Sequence, residues 1–357
     1  MVRGSDSALL RRSDRAACRA LLRAGSHTFH LASHLLPARV RTAATVLYAF
    51  CRLADDAIDC DRAAAEANLQ GLHAQLDRVY SGRPLALPME RQLTDVTQRY
   101  AIPRSLLAAL LEGFEWDAQG RQYATAAALN EYAARVAGSV GALMSLLMEV
   151  RVPEVLARAC DLGIAMQLTN IARDVGEDAR AGRLYLPLDW LHEVNIDAQR
   201  WLEQPVFTPA LAIVIERLLS AADALYARAA DGIAGLPAAC RPGIHAARLL
   251  YAEIGQQLRR GGLDAVRHRA HVGALRKAGV LCRALCAATR PASGSSYAPL
   301  NETRMLLDTI GPLPPADAAA GRDARETQQS QAEWLLELFV RLQRRDQLAS
   351  LGDGSAH

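Results

Sequence analysis

Apolar positions recur along this chain at intervals of three and four residues, the spacing that gathers them on one face of an α-helix, while alternation of period two is scarce. Ala, Leu and Arg, all good helix formers, dominate. The pattern predicts helices near 7–24, 38–58, 62–80, 103–119, 126–149, 153–178, 208–233, 241–260 and 264–288. Breaks fall at Pro37, at Ser81-Gly82-Arg83-Pro84, at Pro103, at Pro153 and at Arg241-Pro242-Gly243, where proline or glycine stops propagation. Past residue 288 the composition shifts to RPASGSSYAPL and GPLPPADAAAG, both linker-like. At 332–348, Trp334, Leu335, Leu338, Phe339 and Leu342 form an apolar stripe with Arg341, Arg344 and Arg345 on the polar side. Such an amphipathic helix either docks on the core or a partner, or lies on a membrane surface. The expectation is an all-α protein: one helical domain over 1–288, a linker-like segment over 289–331 and a C-terminal amphipathic helix.

Composition narrows the class. The chain has 357 residues and 51% hydrophobic content, enough for a large core, and a net charge of +3, which offers no general field for nucleic acid. Arginine supplies all of the basic residues except Lys277, and no function is drawn from that bias. Seven cysteines, at 18, 51, 60, 160, 240, 282 and 286, include no CxxC pair, so neither a disulfide framework nor a zinc knuckle is indicated. No signal-peptide-like run opens the sequence, and the uncharged apolar stretch Val136–Met148 falls short of the roughly 20 residues that span a bilayer. The expectation is a cytoplasmic protein, with the C-terminal helix as its route to peripheral contact with the inner face of a membrane.

Against this background, two acidic clusters interrupt apolar helices. The first is YAFCRLADDAID at 48–59, where Asp55 and Asp59 are four apart and share a face. The second is QLTNIARDVGEDARAGRLYLP at 167–187, where Asn170, Asp174 and Asp178 are again spaced by four. Like charges at that spacing disfavour a helix by a few tenths of a kcal/mol each, and by far more when buried without partners. Oxygen donors without His or Cys suit a hard cation, and Mg²⁺ completes its shell with water and substrate phosphate. Two such faces opposed would hold Mg²⁺ over a diphosphate and neutralise it as a leaving group. Arg52 and Arg173 are placed to act as charge-assisted donors to phosphate. The simpler reading of either cluster alone is a solvated acidic face paired with arginine; two clusters on apolar helices favour the metal.

GSHTF at 25–29, LYAFCRLADDAID, EYAARVAGSVG at 131–141 and QLTNIARDVGEDARAGRLYLP together closely resemble the squalene/phytoene synthase family, most of all its bacterial phytoene-forming branch. The resemblance runs over about residues 15–285. It implies an isoprenoid synthase fold, helices around a central cavity, and head-to-head condensation of two prenyl diphosphates. It further implies that Asp55, Asp59, Asn170, Asp174 and Asp178 bind Mg²⁺, with Mn²⁺ as a substitute. By the same resemblance Ser26, Phe29, Arg52, Tyr132, Gln167, Arg173 and Tyr185 line the phosphate and prenyl sites. Asp55, Asp59, Tyr132, Arg173, Asp174 and Asp178 are then the catalytic group.

Physical roles accompany these positions. Ionisation to an allylic cation needs a water-free cavity with aromatic faces, which Phe29 and Tyr132 can supply, and the Tyr132 hydroxyl can hold diphosphate. Each aromatic read alone is core packing. Gly138 and Gly141 admit either a prenyl chain or a neighbouring helix. His27 stands where the family often has a basic residue. Arg267, His268 and Arg269 stand near a familial arginine pair, leaving the late phosphate contact open among them. His27, His30 and His34 share a face, but nothing completes a zinc set. Small residues at Ser33, Ala43, Ala44 and Thr45 predict a deep cavity and a C20 substrate, geranylgeranyl diphosphate, over C15.

The expected reaction passes through prephytoene diphosphate to phytoene in carotenoid biosynthesis, with no NADPH, because no GxGxxG loop or βαβ unit is present. Downstream carotenoid enzymes are expected partners; nucleic acid is not. Two alternatives remain: a squalene- or dehydrosqualene-type synthase on farnesyl diphosphate, and a non-catalytic assembly protein with the same fold.

Overall fold

A computed structural model describes residues 14, 32–59, 65–85, 87–289 and 297–311. Within these residues all regular structure is helical. In chain order the elements are α1 (Ala38–Asp59), α2 (Ala65–Tyr80), α3 (Pro88–Arg99), α4 (Arg104–Ala118), α5 (Ala126–Ala133), a π-helical segment (Ala134–Gly138), α6 (Ser139–Leu147) and α7 (Pro153–Arg180). There follow α8 (Leu188–Glu193), α9 (Ala198–Glu203), α10 (Pro209–Ile233), α11 (Arg241–Arg260), α12 (Ala274–Ala288) and α13 (Asn301–Leu307).

α7 is the axis of the molecule. Its 28 residues extend about 42 Å at 1.5 Å per residue, and it packs against α6, the π segment, α10 and α11. Pro153 at its first turn starts it where the missing N–H has no intrahelical partner in any case. The contact with the preceding helix depends on glycine. A Cβ on Gly141 would stand 2.0 Å from the Ala159 carbonyl oxygen, and one on Gly163 would stand 2.1 Å from that of Ala137. The two backbones therefore touch at reciprocal points, so Gly141 is a helix-packing position as well as part of a cavity wall. Gly138 makes only ordinary contacts at 3.6 Å.

The pattern of apolar residues located the long helices and missed the short or polar ones. α3 was hidden by its charged composition, although Met89, Leu93 and Val96 are buried on one side of it. The helix expected over 264–288 begins only at Ala274. Residues 265 and 266 instead lie against α7, where the Gly176 N–H donates to the Ala265 carbonyl (3.1 Å) and Arg180 to that of Val266 (3.1 Å). A Cβ on Gly176 would sit 2.3 Å from the Val266 oxygen, so glycine is what lets this segment approach.

Residues 301–307, inside the stretch read as linker-like, form α13, with Thr303 and Leu306 buried. Arg158 and Arg228 tie the residues before it down by donating to the Tyr297 and Ala298 carbonyls, and buried Asp161 holds both arginines. Of the predicted helix at 7–24 only Asp14 is described, buried and accepting from Arg91 at 2.7 and 2.9 Å. The helix expected at 332–348, with Ser26, His27, Phe29 and His30, lies outside the described residues. No helix among the described residues is long and apolar enough to cross a membrane.

Candidate active site

One face of α7 presents Gln167, Asn170, Arg173, Asp174 and Asp178 in successive turns, as the spacing of three and four requires. Arg173 holds Asp174 through Nε at 2.7 Å, and Arg269 reaches the same carboxylate at 2.8 and 3.2 Å. Arg269 is delivered there by the docking of residues 265–266 at Gly176. Of the three late candidates it is Arg269 that joins the site: Arg267 turns instead to Asp264 at 3.5 Å and is largely exposed. Burial pushes the Asp174 carboxyl up, but its arginines outweigh this and hold it below the usual carboxylate range. Asp178 has no such relief. Burial, reinforced by the charges of Asp174, Asp117 and Glu177 against the single lowering influence of Arg183, pushes its carboxyl up to about 7.

On α1, Arg52 pairs with Asp55 at 3.4 Å and more closely with Asp56 at 2.7 Å. Asp56 thus matches the simpler reading of an acidic residue on a solvated face. Asp59 ends α1, and its side chain lies outside the described part. Among the described residues no three His, Cys, Asp or Glu side chains already close on a point as a metal cluster.

Between the two acidic faces stands a residue that sequence reading missed. Asp117, in the last turn of α4, accepts from the Tyr132 hydroxyl at 2.8 Å and the Tyr185 hydroxyl at 2.7 Å. Burial, opposed by those two hydrogen bonds, raises its carboxyl to about 6, and the Asp55 charge adds to the rise. Burial and the Asp117 charge in turn drive both phenols above their ordinary range. Tyr123, also missed, completes an aromatic cluster: ring centroids lie 5.3 Å apart for Tyr123–Tyr132, 5.3 Å for Tyr132–Tyr185 and 6.3 Å for Tyr123–Tyr185. Nothing local marks Asp117, which reads as an ordinary acid closing a helix.

A cavity of about 240 Å³ opens beside this site. Gln167, Asn170 and Tyr251 line its polar part, and from Asn170 it follows α7 to Arg158 and Val155. The step from residue 170 to 158 is about 18 Å at 1.5 Å per residue. The rest of the lining is largely apolar, with small residues such as Ala32, Ser33 and Ala137 among larger ones such as Met144 and Leu162; Gly163 and Gly232 belong to it at helix contacts, where a Cβ would meet the Ala137 oxygen and the Arg158 Cβ. Ser33 meets the expectation of a wall position. Ala43, Ala44 and Thr45 do not: all three are buried in the core away from the cavity, and the Thr45 hydroxyl donates back to the Arg41 carbonyl. The π segment contributes Val136 and Ala137, so the widened turn of that helix lies in the wall.

The chain and its fold have close relatives. The squalene/phytoene synthase family pattern matches residues 22–276. A phytoene synthase of Cereibacter sphaeroides is 51% identical over 267 residues, covering 72% of this chain and 75% of the relative. A phytoene synthase of Rhodobacter capsulatus is 45% identical over 343 residues, 95% of this chain and 98% of the relative. A crystal structure of a dehydrosqualene synthase in complex with ligand superposes with a TM-score of 0.70 at 31% identity, covering 77% of this chain and 96% of that one. The all-helical architecture and the match over most of the chain lead to one conclusion: this protein belongs to the squalene/phytoene synthase family.

Proposed function

We propose that the protein joins two molecules of geranylgeranyl diphosphate head to head, through the cyclopropyl prephytoene diphosphate, to phytoene, releasing both diphosphates. It is a prenyltransferase of carotenoid biosynthesis. The observation that carries this reading is the likeness to a phytoene synthase along 95% of the chain, in a fold whose apolar cavity begins at the acidic site.

Asp55, Asp59, Asn170, Asp174 and Asp178 are the residues that would hold Mg²⁺, or Mn²⁺ in its place. The fit is chemical: every donor is oxygen, and the elevated Asp178 carboxyl marks a cluster short of positive charge. When bound, such ions neutralise the departing diphosphate. The chain's own residues do the rest. Arg52, Arg173 and Arg269 stand at the acidic faces as donors to phosphate oxygens. Ser26, Phe29 and Gln167 complete the substrate contacts, and Tyr132 and Tyr185 set aromatic faces beside the site. The largely apolar cavity keeps water from the cation and receives the prenyl chain. The last cation loses a proton, so no NADPH is required.

The test is product analysis with purified protein and labelled diphosphates. Mg²⁺ and geranylgeranyl diphosphate alone yield phytoene, chelation abolishes turnover, and added NADPH changes neither rate nor product. A hydrocarbon formed only with NADPH, or a preference for farnesyl diphosphate in kcat/KM, moves the protein to the squalene branch. No turnover of either substrate favours the non-catalytic reading. We place the protein in the cytoplasm, with residues 332–348 either docked on the core or a partner or resting on the inner face of the membrane. Truncation after residue 311, which spares α13, abolishes co-sedimentation with anionic liposomes and preserves activity in detergent; an unchanged bound fraction removes the membrane role and leaves docking to the core or to downstream carotenoid enzymes.

A further inference from the structure

Asp117 occupies the C-terminal turn of α4, where the helix dipole disfavours negative charge, so its position calls for another reason. Both carboxylate oxygens accept from phenols, Oδ2 from Tyr132 and Oδ1 from Tyr185. The three residues come from α4, α5 and the segment after α7, and only the tertiary fold brings them together. Both rings are buried and stacked at 5.3 Å, so neither can swing to another partner without leaving the cluster. If packing alone were needed here, an apolar side chain would serve with no desolvated carboxylate.

A phenol carries one proton and two lone pairs. Once the proton is committed to Asp117, the oxygen has only lone pairs left to offer. We propose that Asp117 is a positioning residue that fixes Tyr132 and Tyr185 as hydrogen-bond acceptors toward the reacting centre, so that these phenols stabilise cationic carbon and are withheld from donating to diphosphate. The inference rests on the prenyl-diphosphate reading above and corrects one detail of it: the Tyr132 hydroxyl is not a diphosphate anchor. A donor phenol would tighten the ground-state hold on substrate and product diphosphate alike. An acceptor phenol leaves that hold unchanged and favours the charge that develops as the bond to diphosphate breaks.

Asp117→Asn keeps the shape and supplies an amide that can donate to a phenol oxygen, which frees the phenol proton toward diphosphate. With the substrate that the wild type turns over, kcat is expected to fall by about 10- to 100-fold. KM stays level or drops, inhibition by inorganic diphosphate strengthens, and the melting temperature stays near wild type. Tyr132→Phe added to Asp117→Asn costs little beyond the worse single variant, because the carboxylate acts through the phenol. Wild-type kcat in Asp117→Asn, a rise in KM with weakened diphosphate inhibition, or losses that multiply in the double variant overturn the proposal. Should Asp117→Asn fail to fold, Asp117→Glu, which displaces the carboxylate from the phenols, takes its place in the same cycle: losses that fail to add with Tyr132→Phe support the proposal, and losses that multiply overturn it. A wild type that turns over no prenyl diphosphate is instead a failure of the underlying reading.

Discussion

Asp55 on α1 and Asp174 on α7 belong to motifs of the same spacing, yet 41% of the Asp55 side chain is exposed against 16% for Asp174. The α1 face meets solvent, and its arginine divides itself between Asp55 and Asp56. The α7 face is half-buried and is flanked by arginines from its own helix and from the loop before α12, while at Asp178 the charge of Arg183 is outweighed by burial and neighbouring acids. Equal motifs therefore carry unequal electrostatic load. An exposed pair contributes little to stability, whereas a desolvated one is sensitive to the loss of either partner. On the α7 side the site and the fold depend on the same charges.

The sharpest test compares Asp174→Asn with Asp55→Asn. Each should reduce turnover by about a thousandfold, as expected for loss of a metal ligand. They part in stability. Asp174→Asn strips Arg173 and Arg269 of a shared partner and should destabilise by about 2 kcal/mol in denaturant unfolding, while Asp55→Asn should unfold at the wild-type midpoint. Equal midpoints would break the contrast, and normal turnover in both would remove the metal assignment.

Arg269→Ala comes next, with turnover expected to fall about tenfold from loss of a phosphate donor. Substitution of Arg267 should leave turnover within about twofold, since its partner is Asp264. Reversed outcomes would place the wrong arginine in the site.

Gly163→Ala probes what positions the α7 face. Its methyl would fall 2.1 Å from the Ala137 oxygen, so α7 and the π segment must separate, at about 2 kcal/mol in urea unfolding. A neutral effect would show that α7 can shift without consequence. The smallest response is expected from Asp56→Asn, where the exposed pair with Arg52 is worth under about 0.5 kcal/mol and kcat should stay within about twofold.

The sequence announced the long helices because each buries one stripe of apolar residues, and α7, α10 and α11 lie close to their expected bounds. It hid α3, whose polar surface masks its buried side, and gave no warning that residues 264–273 would stay out of α12. That second error bears on function, because the non-helical segment is what carries Arg269 to Asp174. The cause is tertiary: carbonyls of Ala265 and Val266 find donors on α7 at Gly176 and Arg180, and no local propensity encodes that competition.

The site divides along the same line. Spacing alone determined that Asn170, Asp174 and Asp178 share a face, because helical periodicity is a local property of the chain. The side chains around that face were a matter for the tertiary structure. Asp117 lies far in sequence from Tyr185, and Tyr251 reaches the cavity from α11. The cavity wall includes Ser33 and the glycines of the helix contacts, and not Ala43, Ala44 and Thr45, which look equally small in sequence and are buried elsewhere. Residue type and spacing dictate which groups point together along one element. Which charge is buried, which phenol commits its proton to a neighbour and where a cavity ends depend on contacts between elements, and packing determines those only when the whole chain has closed.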